Sequence, residues 1–203
     1  MTVFARCCCA LVFAALGAGC STVTGADDAS VQEVQAAAYI PSGPPRVTLL
    51  TVVNNQTGSG GHSAIVVSAS QQVIFDPAGS FLHPEVPRRD DVLYGISPAW
   101  EQGYVSAHAR STYHVVSQDI PVSAQDAERV LRAVQSAGPV AAAFCANVNS
   151  SILREIPGYE DIDVTFFPVK LMEQVEGRPG VVTERYYEDD AGDVLDGIPA
   201  VQL

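Results

Sequence analysis

Three residues of this 203-residue chain have the types and positions to supply a nucleophile, a base and an orienting group: Cys145, His62 and Asp76. A cysteine attacks a carbonyl carbon as its thiolate, so it needs a neighbouring base or a lowered pKa to act near neutral pH. Of the five cysteines, Cys7, Cys8 and Cys9 lie in a short apolar N-terminal stretch expected to be removed. Cys20 closes that stretch, where a lipid anchor would be attached. Cys145 is left with no partner for a disulfide. In an oxidising compartment a leftover thiol is a free reactive group, half of an intermolecular pair, or a small buried hydrophobe.

The segment Ala141-Ala142-Ala143-Phe144-Cys145-Ala146-Asn147-Val148-Asn149-Ser150-Ser151-Ile152-Leu153 decides between these. Val148, Ile152 and Leu153 stand at helical spacing from Cys145, which predicts a helix that begins near Cys145 and buries them beneath the thiol. A thiol at a helix N-terminus feels the positive end of the macrodipole and unpaired backbone amides, which favour thiolate. The same amides can receive an oxyanion. A helix running unbroken from Ala141 would instead leave the thiol in mid-helix without this activation.

Four histidines compete for the base. His62 is best placed, because it follows the loop Gly58-Ser59-Gly60-Gly61 and opens the apolar run Ser63-Ala64-Ile65-Val66-Val67, with small neighbours that allow close approach. His108 and His114 are expected on a solvated face, and His83, beside Pro84, in a loop. No histidine pair has metal-ligand spacing with Cys145, so neither a metal nor a cofactor is expected. Asp76 ends the strand that would pair with the one His62 begins, which makes these distant residues cross-strand neighbours. A carboxylate there would fix the imidazole tautomer and stabilise the imidazolium. The competing reading of Asp76-Pro77 is an Asx turn.

The positioning elements follow from the pattern. Strands are predicted at residues 47–53, 62–68, 72–76 and 112–120, the second and third joined by a polar turn at 69–71 as an antiparallel hairpin. Ser97-Pro98 predicts a helix start that carries Trp100 and Tyr104 toward the core. Ser123 and Asp126 cap a second helix with Val130, Leu131 and Val134 as its apolar stripe, ending at Gly138-Pro139. Pro168 suits the start of a helix within 166–175. Tyr94, Trp100, Tyr104, Phe166, Phe167 and Tyr186 are the aromatics available to line a pocket or fill the core. The acidic end around Glu188, Asp189, Asp190 and Asp193 reads as a solvated tail.

The first 19 residues read as an export signal, with Arg6 as a minimal basic region and residues 7–18 as an apolar run too short to span a bilayer. Leu16-Gly17-Ala18-Gly19-Cys20 resembles a lipobox, which implies acylation of Cys20, with leucine one position earlier than in the commonest form. Residues 20–45, poor in large apolar side chains, read as a tether. Ser21 after the lipidated cysteine favours the outer membrane. Residues 46–203 suit one domain with its own core. The formal net charge of −12, with Lys170 as the sole lysine, argues against nucleic acid as a partner. The expected membrane contact is therefore the N-terminal lipid anchor.

The order of His62 on an early strand and Cys145 on a later helix resembles the circularly permuted papain-like branch of the NlpC/P60 superfamily, which includes lecithin:retinol acyltransferase-like proteins and related bacterial lipoproteins. His62-Ser63-Ala64-Ile65-Val66-Val67 is similar to that family's early strand, and Asp76 falls at its polar third position. The resemblance covers residues 47–153. Phe144-Cys145-Ala146-Asn147 departs from the residues that flank the cysteine in the acyltransferase subgroup. The resemblance implies an α+β, permuted papain-like fold with an antiparallel sheet packed against the helix carrying the cysteine. It implies a thiol hydrolase acting through an acyl-thioester, on cell-wall peptides or, alternatively, acyl lipids; a non-catalytic binding or scaffold lipoprotein is the other expectation.

Overall fold

The computed structural model describes residues 28–192 and 197–198; the segment read as an export signal, the expected lipidation position Cys20 and Asp193 lie outside the described residues. The chain folds as α+β. Its strands are β1 (Arg46–Asn54), β2 (Gly60–Ser68), β3 (Gln72–Phe75), β4 (Arg88–Arg89), β5 (Val92–Leu93), β6 (Tyr113–Pro121) and β7 (Val182–Tyr187). They form one sheet in the order β4-β5-β3-β2-β1-β6-β7, and every pairing is antiparallel. The helices are α1 (Val31–Ala37), α2 (Pro98–His108), α3 (Ala124–Ser136), α4 (Cys145–Leu153) and α5 (Pro168–Val175).

The central strands are apolar on both faces because both are covered. On one face Val47, Leu49, Ile65, Val67 and Phe75 pack with Val130 and Leu131 of α3, Ile152 and Leu153 of α4, and Leu171 of α5. On the other, Leu50, Val52, Ala64, Val66 and Ile74 pack with Trp100, Tyr104 and Val105 of α2. Near-continuous aliphatic runs in β1 and β2 are the sequence trace of that double coverage. Truncating a fully buried member such as Leu49 to Ala costs roughly 2–5 kcal/mol in lost transfer energy and cavity formation.

The predicted hairpin forms in the register Ile65↔Phe75, Val66↔Ile74, Val67↔Val73 and Ser68↔Gln72. One step further, position 64 faces 76, so Asp76 lies diagonally from His62 across the pair, within reach of a long side chain. The two helix starts also fall where capping chemistry places them: Ser97 accepts from the Trp100 amide, with Pro98 in the first turn, and Ser123 accepts from the Asp126 amide.

Two expectations are corrected outside the site. Within the segment read as a tether, residues 31–37 form α1, because Ser30 and Glu33 make a reciprocal capping box, and Ala29 and Tyr39 bond to Arg88 and Gln72. The acidic end is not wholly a solvated tail: β7 pairs with β6, Glu188 accepts from Ser106 and Tyr186, and Asp190 pairs with the buried Arg110. The sequence there alternates without a strongly apolar face, since β7 is an edge strand.

Candidate active site

Helix α4 begins at Cys145, and no side chain caps it. Phe144 occupies the N-cap position where Ser, Thr, Asp or Asn usually sits, so nothing from its own side chain covers the first-turn amides. Ala143, just before it, is held in the left-handed region at φ 69°. A non-glycine residue there is strained, and such strain concentrates at functional segments. The unbroken helix from Ala141 is not formed.

The thiol is registered against β2 from beneath. Asn149, one turn after Cys145 and fully buried, donates through Nδ2 to the backbone carbonyl and the hydroxyl of Ser63 at 3.0 and 3.1 Å. Ser63 neighbours His62 in sequence, so one amide side chain ties the helix of Cys145 to the strand of His62. The glycines before it serve close approach. A Cβ on Gly60 would lie 2.7 Å from the Pro168 side chain, so Gly60 lets the start of α5 press on β2.

His62 Nε2 bonds Asp76 Oδ1 at 2.7 Å, and the same oxygen accepts from the Tyr104 hydroxyl at 2.6 Å. Asp76 is 0 % exposed and its Oδ2 has no hydrogen-bond partner. Its side chain makes no Asx turn; the backbone turn is closed instead by the Gly79 amide bonding the Asp76 carbonyl at 3.0 Å. A Cβ on Gly79 would lie 1.9 Å from Oδ2, so only glycine leaves room for the carboxylate. With Nε2 committed to Asp76, Nδ1 is the ring nitrogen left for the interaction between His62 and Cys145.

The electrostatics follow. Burial pushes the His62 pKa down, but hydrogen bonds to Asp76 and Cys145 and the charges of both outweigh it and raise the pKa to about 10. Burial pushes Asp76 up, yet the His62 bond and charge, the His108 charge and the Tyr104 bond hold it at about 2. Burial likewise raises Cys145, and the His62 bond and charge, with bonds from the Ser63 backbone and side chain, bring its thiol below the ordinary value. All three shifts run toward the charged forms, a thiolate beside an imidazolium beside a carboxylate.

His108 corrects the expectation of a solvated face: it is only 5 % exposed and lies behind the site. Its Nδ1 donates to the Tyr104 carbonyl at 2.8 Å, and its ring stands 4.1 Å from that of Tyr104 and 6.0 Å from that of His62. Burial drives its pKa down to about 4, so it is neutral where His62 is charged. The signal was present in the sequence, because Trp100, Tyr104 and His108 recur every four residues on one helix face. His114 stays partly exposed, bonded to Asn55 and stacked on Tyr187, and the His83 ring packs tilted against Trp100. His62, Asp76 and His108 offer ligand atoms within 4.8 Å of one another, the one such cluster among the described residues. Two donors, His62 Nε2 and the Tyr104 hydroxyl, already share Asp76 Oδ1.

The approach to Cys145 differs in character. Phe144 and Phe166, 44 % and 51 % exposed, meet edge to face at 5.1 Å. Phe166 is brought there because the Thr165 amide bonds the Ser150 hydroxyl on α4 at 3.2 Å. Exposed Phe167, with the Lys170 ammonium 5.6 Å from its ring, and Val164 extend the apolar surface. Of the aromatics offered as pocket walls, Tyr94, Trp100 and Tyr104 are core.

Comparison with protein-family models, with curated proteins and with solved structures finds no match for this chain.

Proposed function

We propose that the protein is a periplasm-facing lipoprotein with cysteine-dependent amide hydrolase chemistry, carried on a permuted papain-like fold of the NlpC/P60 kind. The observation that carries the chemistry is the 2.7 Å bond from His62 Nε2 to buried Asp76, with Cys145 opening a helix close enough to His62 for each to shift the other's pKa. An uncatalytic scaffold has no need for a buried ion pair beside an uncapped helix start. The lipid-anchor part of the reading comes from the Leu16 to Cys20 lipobox. No helix among the described residues is long and apolar enough to cross a membrane.

In the proposed reaction the Cys145 thiolate forms a bond to the carbonyl carbon of an amide, and the electron pair moves to oxygen. First-turn amides of α4 are the donors available to that oxyanion. As the tetrahedral adduct collapses, His62 gives its Nδ1 proton to the departing amine and the C–N bond breaks, leaving an acyl-thioester. Neutral His62 then takes a proton from water, whose oxygen attacks the thioester; the acid leaves and the thiolate–imidazolium pair is restored. His62 keeps its Nε2 proton throughout and donates it to Asp76, which orients the ring.

For an anchored periplasmic enzyme the abundant amide substrate is the peptide stem of the cell wall. A second reading, acyl esters or amides of lipids, is favoured by the exposed pair Phe144 and Phe166 at the approach to Cys145. The test is alkylation of the folded protein by iodoacetamide at pH 6–7, followed by hydrolysis assays on muropeptides and on acyl lipids. Fast labelling is expected, slowed about a hundredfold or more by His62→Ala, in keeping with loss of a general base, and abolished by Cys145→Ser. Slow labelling indifferent to His62 would return the chain to the scaffold reading.

A further inference from the structure

We infer that Tyr104 is a positioning residue for the hydrolytic reaction, acting through Asp76 on the orientation of His62. The inference rests on the functional reading above and extends it to a residue that never meets the substrate.

The carboxylate of Asp76 lacks ordinary restraint. It follows the end of β3 and enters a turn in which Ala78 is left-handed at φ 57°. Its Oδ2 has no partner, so its rotation is not fixed by bonds to both oxygens. Two contacts to Oδ1 do the fixing, and one of them is the imidazole that the carboxylate is meant to orient. An orienter held only by the group it orients would turn with it. Tyr104 supplies the independent anchor, a charge-assisted hydrogen bond from a hydroxyl that is itself locked in the core beside Trp100, Val105 and Ala107.

His108 explains why the anchor must be a tyrosine. The ring is near enough to Asp76 to influence its charge, but its Nδ1 proton is spent on the Tyr104 carbonyl. The neutral ring then presents a lone pair at Nε2 and has no proton to offer the carboxylate. Asp76 therefore sees one imidazolium, at His62, and one fixed neutral donor, at Tyr104. The same bond ties Tyr104's own backbone to the ring below it, so residues 104 and 108 brace one another across a helical turn.

The test is Tyr104→Phe, which keeps the ring in the core and removes only the donor. Iodoacetamide labelling of Cys145 is expected to slow about tenfold, the scale of losing one hydrogen bond to a charged group. The low-field proton NMR resonance of the His62 Nε2 proton should also move further downfield, because a carboxylate with one donor fewer is more basic. A purely structural tyrosine would change the thermal midpoint and leave that resonance in place, so the two measurements are made on the same folded sample. Wild-type labelling that is fast and His62-dependent, with Tyr104→Phe matching it in rate and resonance, overturns this inference alone. Wild-type labelling that is slow and indifferent to His62→Ala overturns the functional reading and this inference together.

Discussion

The two sides of the His62 ring are built on opposite rules. Toward Asp76 everything is closed: the carboxylate is 0 % exposed, Tyr104 and His108 are buried with it, and a side chain at position 79 would collide with Oδ2. Toward Cys145 the structure opens, with an uncapped helix start, a strained Ala143 and aromatic side chains half in solvent. The closed side fixes charge and orientation by hydrogen bonds in a low dielectric, where each one counts for more. The open side leaves amides and apolar surface unpartnered, as a site that must admit a substrate does. A hydrogen-bonded relay that orients the ring and an approach surface thus meet at a single imidazole, and substitutions on the two sides should fail in different ways.

The largest break is expected from the closed side. Asp76→Asn keeps a hydrogen-bond acceptor at Oδ1 but removes the charge that holds His62 protonated, so the thiolate–imidazolium pair loses its stabilisation. Labelling of Cys145 at pH 7 should fall about a hundredfold, and its pH profile should move to that of an ordinary thiol near pH 8.5. A profile unchanged by Asp76→Asn would mean that the helix terminus, rather than the relay, lowers the thiol pKa.

A second test separates the two buried histidines by the sign of their effect on stability. The folded pKa of His62, about 10, lies above its ordinary 6.5, so its contribution is complete below pH 6.5 and is lost as pH rises toward 10. His108 is depressed to about 4; the unfolded ring takes a proton that the folded ring refuses, so stability is lost as pH falls from 6.5 to 4. Asp76, at about 2 against an ordinary 3.8, adds a further loss below pH 3.8. Denaturant midpoints should therefore decline from pH 6.5 to 4, while on the alkaline side the lowered Cys145 thiol offsets the His62 loss up to the ordinary thiol value and the net decline falls above it. His62→Gln should flatten the alkaline decline and His108→Gln the decline between pH 6.5 and 4. Each variant flattening the other's limb would reverse the assignment of charge between the rings.

How much of this was legible depends on whether a contact is local or crosses elements. The hairpin, the diagonal of His62 and Asp76, and the helix start at Cys145 were readable, because strand alternation and helical spacing fix them within a few residues. The α2 relay was readable in principle: the same period that sends Trp100 and Tyr104 inward carries His108 with them, and only the usual solvation of histidine argued otherwise. Asn149 sits four residues after Cys145 and so shares its face, but nothing local says that its amide will find Ser63, 86 residues earlier. The short strands β4 and β5 and the edge strand β7 were missed for a related reason, since two-residue pairings and a half-exposed edge leave no periodic trace. The permuted papain-like arrangement stays a reading from residue order.

The smallest expected effect lies on the open side and separates the two substrate readings. Phe166→Ala removes half of an exposed edge-to-face pair, worth about 0.5–1.5 kcal/mol beyond its area, so stability should change little. It touches neither the thiolate nor its relay, and iodoacetamide, too small to reach across the lip, should label Cys145 within about twofold of the wild-type rate, since substitutions away from such networks sit near neutral. If Phe144 and Phe166 hold an apolar acyl group against the site, hydrolysis of long-chain acyl substrates should weaken severalfold through KM with kcat retained, the mark of lost uniform binding. If the substrate is a polar cell-wall peptide, hydrolysis of muropeptides should be nearly indifferent to the change, and the apolar lip is then no part of substrate recognition. A fall in labelling rate as well would place Phe166 in support of the α4 terminus itself, because Thr165 is bonded to Ser150 on that helix and a shift there would reach Cys145 through the helix axis.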